Sequence, residues 1–123
     1  MLFRSLLARA LSSLEFFHDG RVAVMVLRRG DFDAAGGSPG DTGGFADVVR
    51  SVEAVRVVAL LTEQVEDGAT LTKVSMRSKG GPGMIDVNVV AAELGGGGHA
   101  QAAGARVRRD IDEVKARLVE LLG

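Results

Sequence analysis

The sequence predicts a single α/β domain, a mixed β-sheet of at least four strands flanked by helices. Three observations lead there. Residues 21–29 and 55–62 are apolar on both alternating faces, as in strands covered from both sides. Residues 70–78 alternate, with Val74 and Met76 on one face and Lys73, Ser75 and Arg77 on the other. Both ends of the chain carry apolar residues at helical spacing. At 123 residues the chain fits one domain and has enough length to bury a real core.

Taken in order, Phe3, Leu6, Leu7, Ala10, Leu11, Leu14 and Phe17 form the apolar stripe of a first helix, closed by His18-Asp19-Gly20. That helix has no visible cap, which suggests residues before Met1 in a longer parent. Val22, Val24 and Val26 alternate with Ala23, Met25 and Leu27 in the first strand. Residues 31–37 read as one capped helical turn, and 38–44 as a glycine-rich loop containing Pro39. Phe45, Val48, Val49 and Val52 mark a short helix. A second strand at 55–62 and a third at 70–78 are joined by hairpin chemistry at Glu66-Asp67-Gly68. Residues 84–94 read as a helix with Ile85 and Val89 on one side, Asp86 in its first turn and Gly95 as its stop. His99 to Ala103 reads as a second short helical stretch, ended by Gly104, and 105–109 as a fourth strand. Asp110-Ile-Asp-Glu113 opens a final helix striped by Ile111, Val114, Leu118, Leu121 and Leu122.

Composition narrows the function. Without cysteine there is no disulfide, thiolate metal site or thiol nucleophile in this chain, and two histidines cannot make a three-histidine metal site. The absence of Trp and Tyr argues against a base-stacking platform. The net charge is -1, but residues 70–109 hold six basic and two acidic residues. A local basic field in a near-neutral chain suits a small anionic ligand better than a long polyanion. No apolar run is long enough to span a membrane, and Arg4 and Arg9 interrupt the N-terminal stretch too early for a signal-peptide core. A cytoplasmic protein is expected.

Two segments carry candidate chemistry. Four consecutive glycines at 95–98 run into His99. Glycines are costly to order, so the run makes sense where backbone must approach something closely. Feeding a helix N-terminus, its N–H groups would make an anion cradle. A flexible connector with a solvated His99 is the plainer reading. The segment is not a P-loop, because no lysine follows the glycines, and the dinucleotide fingerprint it loosely fits should follow a strand rather than a helix. In the second segment, Arg77 at a strand end can grip a phosphate through its forked guanidinium, with Ser75, Ser78 and Lys79 as further donors. Taken alone, that segment reads more simply as a solvated face.

Together, Val74 to Gly80, Ile85 to Ala91 and Gly95 to Ala105 closely resemble, in order and spacing, the DHH-associated C-terminal domain of the DHH phosphoesterase superfamily. The likeness is nearest to the oligoribonuclease/pAp phosphatase (NrnA-like) branch. It extends more weakly over Asp41 to Gln64 and loosely to the N-terminal helix and strand. The resemblance implies a domain that binds a nucleotide or short RNA end through Arg77 and through Gly96, Gly97, Gly98 and His99. It also implies a DHH catalytic domain in cis, preceding residue 1, that holds two divalent metals, usually manganese, and hydrolyses phosphoesters. A homodimeric parent is compatible with this reading. No Asp-His-His motif occurs in this chain, so the chain alone is expected to be inactive and to hold no metal or catalytic residue. The alternative is a stand-alone nucleotide- or RNA-binding module.

Overall fold

The computed structural model describes residues 2–123, with side chains from Ser5 onward. The predicted place of Phe3 in the helical stripe therefore lies outside the described side chains. The elements run α1 (Leu2–Ser12), β1 (Glu15–Phe17), β2 (Val22–Leu27), α2 (Arg29–Ala35), a 3-10 turn (Pro39–Thr42), α3 (Phe45–Arg50), β3 (Val57–Glu66), β4 (Ala69–Ser78), α4 (Val87–Glu93), β5 (Gly97–His99), β6 (Ala102–Val107) and α5 (Ile111–Leu121). One six-stranded sheet has the order β1-β2-β3-β4-β6-β5. Only β2 and β3 pair in parallel, and the crossover between them carries α2 and α3. The predicted mixed α/β sheet is thus present, with two more strands than the minimum expected.

Helices cover the two faces of the sheet unequally. On one face α4 and α5 pack over β2, β3, β4 and β6, in a core that includes Val24, Leu61, Met76, Val90, Ile111 and Leu118. On the other, α1, α2 and α3 pack over β2 and β3 through Leu6, Met25, Leu27, Phe45, Val58 and Leu60. Leu61 and Met76 are fully buried, each contributing about 1.5–3 kcal/mol by leaving water. The alternation of β2 is explained by this sandwich, because its even residues face one core and its odd residues the other. The three-helix layer draws no core residue from β4 or β6. From Lys73 to Arg77 the odd face of β4 is therefore left open beside it, whereas Leu71 is buried.

The strand read at 55–62 runs Val57–Glu66 and that read at 105–109 runs Ala102–Val107, and three regions differ more deeply. The first helix stops at Ser12 instead of Phe17, and Glu15–Phe17 pairs antiparallel with β2 as an edge strand. His18, Asp19 and Gly20 all take positive φ, which turns the chain back sharply. The Ser13 hydroxyl accepts the Val26 N–H at 2.8 Å where that short strand has ended. The fourth helix is shorter than 84–94: Asp86 is its N-cap, accepting the Asn88 N–H at 2.9 Å. Its buried residues are Val87, Val90 and Ala91, and Val89 is exposed. The largest difference, at 97–104, shapes the candidate site. The Asp67-Gly68 hairpin is as predicted, with φ of 51° and 76° in the manner of a type I′ turn.

Candidate functional site

The site is built on the open face of β4. Because side chains alternate along a strand, Lys73, Ser75 and Arg77 form a ridge there while Val74 and Met76 are buried behind it. On the β6 side of the ridge lies an open cleft of about 560 Å³, bordered by Lys73, Ser75 and Arg77 and walled by Gly95, Gly96 and Gly97. On the β3 side the same three residues border a smaller depression of about 230 Å³, closed by the Pro39–Asp47 segment. Arg77 and the glycine run thus line one cleft.

The glycine run reaches the cleft as a strand, correcting the helix expected at His99–Ala103. Gly97, Gly98 and His99 form β5 and pair antiparallel with Gly104, Ala103 and Ala102 of β6. An alanine-rich stretch favours helix by intrinsic propensity, but here the open ladder of β4 offers hydrogen bonds that override it. The glycines permit the close approach. A Cβ on Gly96 would run into the Gly104 carbonyl oxygen and lie 2.7 Å from the Ala105 Cα. Gly98, at φ 150°, would place a Cβ 2.6 Å from the Ala102 oxygen. The hairpin tip is fastened at both sides: Ser78 N–H donates to the Gln101 oxygen and Val87 N–H to the Ala100 oxygen.

This geometry also removes the anion cradle at a helix N-terminus. No helix follows the glycines, and the N–H groups of Gly95 and Gly96 already donate to the α4 carbonyls of Ala92 and Ala91, closing that helix. What the run supplies to the cleft is a wall without side chains.

The remaining expected residues separate into two groups. Ser75 and Arg77 border the cleft. Arg77 is half-buried and donates to the Met76 carbonyl at 2.9 Å. His99 is exposed at the end of β5, in the register row Val58, Arg77, Ala102, His99, but it does not line the cleft, and neither does Gly98. Two strand spacings separate the Arg77 and His99 backbones, roughly 10 Å. Ser78 and Lys79 lie outside the cleft. Ser78 points to the covered face, where its hydroxyl donates to the Ile85 carbonyl at 2.6 Å. The Lys79 ammonium donates to the Val52 and Glu53 carbonyls just beyond α3. Both are held by structural partners.

Lys73 is the site residue that sequence reasoning missed, although the alternation that singled out Arg77 places it on the same face. Among the described residues neither Lys73 nor Arg77 has a carboxylate partner, whereas Arg106, opposite Lys73 on β6, pairs with Glu66. Two uncompensated cations on one ridge make the cleft attractive to anions. Among the described residues no three His, Asp or Glu side chains converge to hold an ion. Nor, among them, is any helix long and apolar enough to cross a membrane.

Comparison with known proteins decides the family. Residues 19–123 match the DHHA1 domain. The chain belongs to the DHHA1 domain family. It is 34% identical over 116 residues to the bifunctional oligoribonuclease and PAP phosphatase NrnA of Thermus thermophilus, a match that takes in 94% of this chain and 32% of that protein. The chain thus spans about a third of the length of this curated relative. Among solved structures, an exopolyphosphatase-related protein of Bacteroides fragilis superposes with a TM-score of 0.86 at 26% identity, over 98% of this chain and 34% of the other. The C-Ala domain of Aquifex aeolicus alanyl-tRNA synthetase shares the fold, with a TM-score of 0.60 at 19% identity over 88% of this DHHA1 domain and 97% of that chain. The resemblance drawn from the three sequence motifs therefore holds.

Proposed function

We propose that this DHHA1 domain is the substrate-binding part of a DHH-family phosphoesterase, taking the phosphorylated end of a nucleotide or short RNA into the cleft between β4 and the β5–β6 hairpin. One observation carries the reading: Arg77, without a carboxylate partner among the described residues, shares a cleft with the side-chain-free wall of Gly95 to Gly97. The guanidinium would hold a phosphate through charge-assisted hydrogen bonds. The bare wall would let a ribose or base lie against backbone, with His99 at the outer rim toward a catalytic domain in cis. Manganese belongs to that domain on this reading, as does the bond-breaking step, and the parent would be cytoplasmic and dimeric.

The test is a titration of AMP, pAp or a dinucleotide into this chain, followed by backbone amide shifts. Shifts are expected at 75–77 and 95–98, with weak affinity. Arg77→Ala should lower that affinity by about 1.5–3 kcal/mol, the scale of a lost hydrogen bond to a charged group. A domain whose β4 and hairpin amides ignore every one of these ligands is not a substrate-binding domain. In a full-length parent, hydrolysis of short RNA that is unchanged in both Arg77→Ala and His99→Ala would overturn the same reading.

A further inference from the structure

The ridge on β4 has two sides, and the proposed substrate site uses only one. Lys73, Ser75 and Arg77 border the glycine-walled cleft and also the depression beneath the Pro39–Asp47 segment. Both hollows run along the ridge, so the trough beside the glycines has Lys73 and Arg77 on the same wall. Its cations stand at opposite ends of the ridge. Four residues of extended strand separate Lys73 from Arg77, so their backbones are about 13 Å apart. That span exceeds a single nucleotide and suits two or three linked ones. Neither cation is spent on a carboxylate among the described residues, and no aromatic side chain lines either hollow. A trough with charge at two separated points and no stacking surface recognises backbone phosphates and ignores bases.

Resting on the proposed substrate site, we infer that Lys73 holds a second backbone phosphate, one or two nucleotides from the phosphate at Arg77. The trough then reads the length of a short single strand without reading its sequence. Lys73 adds only its general positive field to a mononucleotide and gains importance as the ligand grows.

The experiment measures binding of AMP, a dinucleotide and two trinucleotides of different sequence to the unaltered chain, Lys73→Ala and Arg77→Ala. Lys73→Ala should weaken both trinucleotides alike by about fivefold to tenfold, several times more than it weakens AMP, and lower the salt slope for the trinucleotides by about one. Arg77→Ala should weaken every ligand. Equal effects of Lys73→Ala on AMP and trinucleotide, or no effect on either, overturn the length-reading role. If Arg77→Ala leaves AMP binding untouched, the substrate site itself fails, whatever Lys73 does. A preference between the two trinucleotides that exceeds the loss from Lys73→Ala overturns the claim of sequence independence.

Discussion

Residues 36–44 and residues 95–98 are both rich in glycine, and both border the Lys73–Ser75–Arg77 ridge, one from each side. They use glycine differently. At Gly36, Gly40, Gly43 and Gly44 an added Cβ would meet nothing within 4 Å. At Gly96 and Gly98 it would collide with the backbone of β6. The first segment is a loop held by its own local bonds, such as the Ser38 N–H to the Asp41 carboxylate at 2.9 Å. The second is a strand pressed against another strand. Composition alone does not separate a glycine that frees a turn from one that admits a neighbour; the pairing partner does.

Substitution should expose that difference most at Gly96. Gly96→Ala is expected to cost about 3 kcal/mol or more, because the colliding atoms are backbone and cannot rotate away. Chemical denaturation would show it, and a loss below about 1 kcal/mol would dissolve the contrast. Ser78→Ala should cost about 1–3 kcal/mol, since it leaves the Ile85 carbonyl without its donor near the start of α4. Amide exchange should then accelerate around the hairpin tip that Ser78 and Val87 fasten. Gly43→Ala, at φ -56° in open space, should stay within about 0.5 kcal/mol or gain slightly by stiffening the unfolded chain.

The smallest effect lies outside both segments, in the exposed Arg28–Asp112 ion pair at 2.7 Å. A hydrogen bond from Arg28, reinforced by its charge, holds the Asp112 carboxyl below its usual range. The folded chain therefore binds that proton less readily than the unfolded one. The slight stabilisation is complete above the ordinary carboxylate range and fades as the pH falls through the lowered value. Asp112→Asn should lower the midpoint of thermal unfolding a little at pH 7, and the gap from the unaltered chain should close in strong acid.

The sandwiched strands are legible because a short run that is apolar on both alternating faces must be covered from both sides, and β2 shows both faces buried. The ridge is legible too: Arg77 follows from alternation alone. Three features are not. Glu15–Phe17 hides inside a helical stripe, because Leu14 and Phe17 also satisfy helical spacing. Local propensity makes His99–Ala103 a helix, while its strand state depends on β4, more than twenty residues earlier. Proximity in sequence groups Ser78 and Lys79 with Arg77. A strand turns neighbours to opposite faces, and the end of β4 sends Lys79 toward α3.

The borders of the sheet have a consequence of their own. The long ladders, β3 with β4, lie in the middle, while each rim is a strand of only three residues. Polymerisation by edge-to-edge recruitment needs a long, flat, unpaired border, and neither rim supplies one. The domain can thus keep a nearly bare glycine strand in open water without offering a template on which fibrils could grow.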